Sequence, residues 1–316
     1  MKINLNNNKL KSIFLLSLVG SNLAKEESSK NQSELTLNSL PQITTNFTKR
    51  GNETDPTLVF GGYPISIGDW KTPSCSFGFA VVSLDVSASS HCTWGFLSGF
   101  ITSVICCSSS DCDFKDVFLN SEDKTKVGHV LRTSFDYIKE PAFRYRDYAF
   151  VANSNLTKLI PYVVGENNDL VPITSYGPAS IGERVCAYTA ATGRMCGKVV
   201  SVDEEEDLHT RFGKIILEVG GFGGFDENDY GGSVYKENSI ANRTIAQLVG
   251  HINSLSYESN KNDKEPVYSI YYVPVEETLR LLATKENCPM APLVYNETNA
   301  QEYDQLIAQM EIPPKK

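Results

Sequence analysis

The residues best suited to chemistry stand together in Asn228-Asp229-Tyr230-Gly231-Gly232-Ser233. A hydroxyl acts as an acyl-transfer nucleophile when its oxygen lies one bond from Cβ, beside a base and within reach of backbone N–H donors. Tyr230 carries its oxygen at the far end of a ring. With a phenol pKa of about 10 it needs a neighbouring base, and none is evident in the sequence. Metal chemistry fares no better. Cys106-Cys107 with Cys112 lacks the paired Cys-x-x-Cys knuckles of a structural zinc site, and only His91, His129, His209 and His251 offer imidazoles. The acidic run Asp203-Glu204-Glu205-Glu206-Asp207 lacks the glycine and the ligand alternation of a calcium loop and reads as a solvated hairpin tip. Gly220-Gly221-Phe222-Gly223-Gly224 is followed by no Gly-Lys-Ser/Thr and opens no helix, so it reads as a loop, not a phosphate cradle. No metal and no cofactor is expected.

The elements that must position these residues are strands. From Val59 onward, short β-branched and aromatic runs alternate with Gly, Pro, Asn and Asp, the pattern of a sandwich or barrel. Strands are expected over Phe77–Ser83, Trp94–Ile105, Tyr148–Ala152, Val199–Val202, Lys214–Val219 and Ile245–Ile252. Val275–Ala283 reads as a helix, with Val275, Leu279 and Leu282 on one face. A short helix is expected over Gln301–Met310, ahead of Pro313-Pro314, packed on the second lobe. There is no repeat at solenoid periods.

A chain of 316 residues with 41% hydrophobic residues can bury one two-lobed domain or two small ones. Its formal net charge of −9, without a sustained Lys/Arg cluster, lacks the electrostatic footprint of a nucleic-acid binder. Lys2, Lys9 and Lys11 precede the apolar run Ile13–Val19 and the small residues Gly20, Ser21 and Ala24, the layout of a cleavable secretion signal over residues 1–24. The run is too short to span a bilayer, and no later segment is long enough, so no membrane span is expected. Residues 25–57 are Ser/Thr/Asn/Glu/Lys-rich and cannot bury enough surface to offset ordering, so they read as a leader or pro-segment. Sequons at Asn31, Asn46, Asn52, Asn155, Asn242 and Asn296 fit a secretory route, as do eight cysteines, whose default in an oxidising compartment is pairing.

Several segments, in order, resemble secreted chymotrypsin-fold serine proteases of the streptogrisin and α-lytic type. Gly61-Gly62 resembles the mature start of that family, and Cys75-Ser76-Phe77-Gly78-Phe79 its Cys-Ser-x-Gly-Phe strand. Cys186-Ala187-Tyr188-Thr189-Ala190-Ala191-Thr192-Gly193-Arg194-Met195-Cys196-Gly197 follows its Cys-x-Ser-Gly-x-Thr-Thr-Gly-x-x-Cys-Gly loop at the same length. Asp147–Val151 resembles the strand of the triad aspartate, and Tyr272–Val275 the run into the terminal helix. The resemblance covers roughly residues 58 to 288. It implies an all-β chain of two six-stranded antiparallel β-barrels with a C-terminal helix. The corresponding organisation is a protease-fold domain over 58–290, with lobes at about 58–165 and 166–290, followed by a tail over 291–316.

The resemblance also assigns the triad positions. Gly99-Phe100-Ile101-Thr102-Ser103-Val104-Ile105-Cys106 follows Gly-Phe-Val-Thr-Ala-Gly-His-Cys, which puts Ile105 where the base belongs. His91-Cys92 resembles the end of the same motif but leaves too few residues after Cys75 for two strands and their hairpin. Asp147 is the retained acid, Tyr230 occupies the nucleophile position, and Asn228 replaces the glycine whose N–H helps bind the oxyanion. Asn tolerates left-handed backbone angles, which leaves room for that loop to form. The resemblance pairs Cys75 with Cys106 and Cys186 with Cys196, leaving Cys92, Cys107, Cys112 and Cys288 with three possible pairings. His251 falls on the strand lining the specificity pocket, as a core or wall residue.

Three functions remain open at this level. The first is a secreted, monomeric serine-protease homologue that has lost its base and nucleophile and binds a protein or peptide at the vestigial cleft. The others are an active endopeptidase with a shifted or misaligned triad, using His91 or another base and another serine, of which Ser233 is the nearby candidate, and a surface glycoprotein.

Overall fold

Short β-branched and aromatic runs broken by turn formers favour a pleated, half-buried backbone over a helix, and the structure is built from them. The computed structural model describes residues 57–307, apart from 69–74, 85–97, 108–111, 113, 120–124, 134–147, 154–156, 167–168, 206–210, 219–223, 241–242, 259–265 and 286–288. In chain order, β1 (Thr57–Val59) precedes a first set of strands: β2 (Pro64–Ile67), β3 (Cys75–Ser76), β4 (Phe79–Ser83), β5 (Ser98–Thr102), β6 (Asp116–Leu119), β7 (Lys126–Thr133) and β8 (Ala149–Asn153). A link follows, made of β9 (Thr157–Leu159), β10 (Tyr162–Val164) and β11 (Leu170–Tyr176). The second set is β12 (Arg184–Thr189), β13 (Gly193–Glu205), β14 (Arg211–Leu217), β15 (Ser233–Ile240), β16 (Arg243–Glu258) and β17 (Val267–Pro274). The chain ends in helix α1 (Val275–Lys285), β18 (Met290–Pro292) and helix α2 (Glu297–Ile307).

Strand pairing closes two rings. β3 and β4 are halves of one bent strand: only Phe77-Gly78 separates them, and Gly78 N–H still donates to the Ile101 carbonyl of β5 at 2.9 Å. β2 pairs with β3 and β6, β4 with β5, β5 with β8, β7 with both β6 and β8, and so the first ring closes. The second closes through β12–β13, β13–β14, β14–β17, β16–β17, β15–β16 and β12–β15. Each ring has six strands, and, numbered along the chain, both run 1-2-3-6-5-4 with every pair antiparallel. This repeated order with a helix after the last strand defines a chymotrypsin-like double barrel. The 8-stranded sheets arise because β18 adds to the first ring and the β10–β11 hairpin adds to the second, β11 running parallel to β16.

Alternation puts Ile65, Phe77, Phe100, Leu119 and Val151 into the first core and Val185, Val199, Ile215, Val234 and Ile270 into the second. α1 seats Val275 and Leu282 fully buried, with Leu281 between them and Leu279 half-buried. No helix among the described residues is long and apolar enough to cross a membrane.

The tail touches both barrels. β18 pairs with β4 of the first ring, whereas α2 packs Tyr303 against Leu58, Phe60 and Tyr162 in a cluster that takes in Tyr188 of β12, and Asp304 lies 3.8 Å from Arg243 of β16. α2 also begins earlier than the expected Gln301, because Asn296 Oδ1 accepts the N–H groups of Thr298 and Asn299 and caps it. Asp304 on α2 then accepts from Tyr295 Oη at 3.2 Å and from Tyr162 Oη at 3.3 Å, while Arg243 donates to Tyr295 Oη at 3.0 Å. Burial, with the Asp304 charge beside it, holds the Tyr162 phenol well above its ordinary range.

Candidate functional site

β5 stops at Thr102 because the next backbone N–H groups are claimed locally. Ser103 Oγ accepts the Ile105 N–H at 3.1 Å and caps a single 3-10 turn, Val104–Cys106. The expected strand therefore ends before Ile105, whose side chain is left 46% exposed. Disulfides hold the turn on both sides: Cys106 is bonded to Cys75 on β3, and Cys107 to Cys112. Closing so short a loop restricts the unfolded chain by about 2 kcal/mol on the loop-entropy relation. A Cys107→Ala/Cys112→Ala variant is accordingly expected to lose about that much in denaturant unfolding; no loss would show the bridge to be idle.

The second barrel supplies the loop between β14 and β15. Asp226 caps a 3-10 turn, Glu227–Asp229, in a reciprocal capping box with Asp229. The Asp226 Oδ1 atom accepts both the Asn228 backbone N–H at 2.8 Å and the Asn228 Nδ2 amide at 2.6 Å. Asn228 is not left-handed; among the described non-glycine residues only Phe114 has positive φ. The side-chain route by which Asn could have preserved a glycine-like turn is therefore not the one taken.

Asp229 is fully buried, yet it meets only neutral donors. Its carboxylate accepts Thr189 Oγ1 at 2.5 Å, Thr192 Oγ1 at 2.5 Å, Thr192 N–H at 3.0 Å and Asp226 N–H at 2.8 Å. The loop is thereby tied to the β12–β13 turn, which the Cys186–Cys196 bridge staples across directly opposed residues.

Between barrels the seam is stitched by Ser76 on β3, a residue its sequence context marks only as part of a strand. Its N–H donates to the Tyr230 carbonyl at 2.9 Å, its hydroxyl donates to the Asn228 carbonyl at 3.2 Å, and the same oxygen accepts Ala190 N–H at 2.9 Å. Thr102 Oγ1 bonds the Ser76 carbonyl at 2.8 Å, which brings the strand before Ile105 to the loop of Tyr230. Gly231 completes the contact: it takes φ +83°, and a Cβ there would strike Thr102 Oγ1 and lie 2.6 Å from the Ser76 carbonyl. Tyr230 is half-buried, its ring against the first-barrel core that contains Phe77 and Cys106. Tyr63 packs on the same cluster, and burial pushes its phenol pKa up, so it keeps its proton and offers no base.

Ser233 and His251 stand opposite each other on β15 and β16. Both are fully buried, the Ser233 hydroxyl donates to the Gly78 carbonyl, and the His251 ring lies 6.0 Å from that of Phe79. That placement makes Ser233 a core hydroxyl, closed to an incoming substrate. Asp147, His91, Cys92, Cys288 and the sequons at Asn31, Asn46, Asn52, Asn155 and Asn242 lie outside the described residues. Among the described residues no cluster of His, Cys, Asp and Glu could hold a metal ion.

No protein-family model matches the chain, and no curated protein matches it. Solved structures similar to it include Thermobifida fusca protease A, at 19% identity and TM-score 0.48 over 76% of this chain and 100% of that one. Cellulomonas bogoriensis chymotrypsin is similar at 19% identity and TM-score 0.46, over 75% and 100% of the two chains. Nocardiopsis protease is similar at 19% identity and TM-score 0.47, over 74% and 99%.

Proposed function

We propose that this chain is a secreted serine-protease homologue without catalytic activity, which binds an extended peptide or protein segment along its vestigial cleft. The observation that carries the reading is that the Asn228 N–H, the oxyanion donor implied by the resemblance, is already bonded to the Asp226 carboxylate. An oxyanion donor works only if it is free and aimed at the developing charge. Ile105 at the base position accepts no proton, and Tyr230 at the nucleophile position presents a ring, so Asp147, the remaining acid, has no imidazole to orient. Burial of Ser233 argues against a displaced nucleophile.

Binding is supported by β16. It pairs with β15 as far as His251 and then with β17 from Gly250 to Glu258. From Asn253 to Glu258 its other edge pairs with no strand among the described residues, and an open edge accepts an extended backbone. Tyr257, 56% exposed and packed on Tyr268, stands at the end of that edge. Secretion is supported by the amino-terminal apolar run and by three disulfides, which persist in oxidising compartments.

Two measurements test the two halves. The natural protein should take no fluorophosphonate label and cleave no casein, and labelling of any serine would overturn the loss of catalysis. Peptides selected from a random display library should slow amide hydrogen exchange at residues 253–258; selected peptides that protect other segments would remove the binding site from β16.

A further inference from the structure

We infer that the chain reaches its folded state without proteolytic maturation at Gly61, β1 being a permanent strand of the protein. The resemblance to secreted proteases places a mature start at Gly61-Gly62, but the residues just before it are built into the molecule. β1 runs parallel to β9 in the register Thr57↔Thr157, Leu58↔Lys158 and Val59↔Leu159, and Ile160 N–H donates to the Val59 carbonyl at 3.0 Å. The side chains then divide between two cores. Val59 is fully buried in the first-barrel core, whereas Leu58 and Phe60 join Ile160, Tyr162 and Tyr303 of the tail cluster. Phe60 adds an edge-on contact to Tyr63 at 5.3 Å, and its carbonyl accepts the Tyr63 N–H at 3.1 Å.

Gly61 itself is a poor place for a chain to begin. It is buried, its N–H donates to the Tyr162 carbonyl at 2.9 Å, and a Cβ on it would meet Ser233 Oγ and come within 3.0 Å of Val163. An ammonium at this point would be a buried charge placed against a carbonyl and a hydroxyl already bonded to Gly78, and an unpaired buried charge is strongly unfavourable. Nor does the loop of Tyr230 wait for a new terminus. Its buried carboxylate, Asp229, already has four neutral donors. The inference is independent of the proposed lack of catalysis, since it concerns only how the seam between the barrels is filled.

The amino terminus of the natural secreted protein, read by sequencing, is expected at or before Thr57; a terminus at any later residue overturns the inference. Two shortened chains behind the same secretion signal give a second readout. A chain starting at Thr57 should melt within a few degrees of the natural protein. One starting at Gly61 should melt more than ~10 °C lower or fail to be secreted, given three buried apolar side chains lost from a domain of this size. Equal melting of the two shortened chains would also overturn it.

Discussion

In a background carrying Ile105→His and Tyr230→Ser, adding Asn228→Gly together with Asp226→Ala is expected to raise the rate of fluorophosphonate labelling about 10²-fold or more. On the triad positions that the resemblance implies, the first pair of changes supplies only a base and a nucleophile, with Asp147 expected as the orienting acid. The phosphonyl oxygen would still find the Asn228 N–H turned into the Asp226 carboxylate, 2.8 Å away. Loss of one oxyanion donor typically costs about 10²–10³ in rate, so freeing it should return a comparable factor. Glycine at 228 is needed as well as the loss of Asp226, because the present 3-10 turn aims that N–H at the Asp226 side chain, and glycine, free to take left-handed angles, can redirect it. If the four-residue variant labels no faster than the double one, the donor at 228 is not the missing part.

The second large effect is on stability. Asp229→Ala is expected to cost about 3–5 kcal/mol in denaturant unfolding, because two threonine hydroxyls and two backbone N–H groups lose their common acceptor inside the protein. Each buried donor left unsatisfied costs about 1–3 kcal/mol, and the hydroxyls recover part of that by rotating. Asp229→Asn keeps one acceptor oxygen and should lose about half as much. The readout that separates this from a loss of packing is local: hydrogen exchange should accelerate at Thr192 and Asp226 before the barrel strands are affected. An Asp229→Ala protein within about 1 kcal/mol of the natural one would show that the loop is held without the Asp229 bonds, by Ser76 and the backbone bonds of Gly231 and Gly232 to Ile252.

Much of this was legible in the residues, for physical reasons. Runs of β-branched and aromatic residues bounded by turn formers marked β4, β5 and β8 and parts of β13, β14 and β16, and an apolar face marked α1, because each buries one side against a core. The order of short motifs singles out the segments of Ile105 and Tyr230, and the structure brings those two segments to one seam through Ser76, Thr102 and Gly231. What the sequence hid was mostly non-local. Ser76 is a small polar residue whose partners, Asn228, Tyr230 and Ala190, lie on the other barrel, and nothing in its own neighbourhood announces them. β18 is three residues long, Met-Ala-Pro, too short for any period to appear, and its pairing with β4 is decided by a free edge elsewhere. The Asp226 cap was readable, since an Asp followed three residues later by an acid is the signature of a capping box. It was obscured by the stronger likeness of the same segment to a protease loop. Asn296 was hidden in the same way, its part in a sequon drawing notice from its place at a helix start.

The pairing of β18 with β4 also fixes an order of events during synthesis. All six strands of the first barrel are complete once Asn153 has been made, yet the outer edge of Val81–Ser83 gains its partner only when Met290–Pro292 emerge, near the end of translation. A nascent first barrel must therefore wait with that edge bare while the whole second barrel is synthesised, and an unpaired edge is a template for neighbouring chains. Ribosomes stalled within the second barrel should consequently display a first lobe that is folded but adhesive, and the cell's holding chaperones would have to bridge that interval.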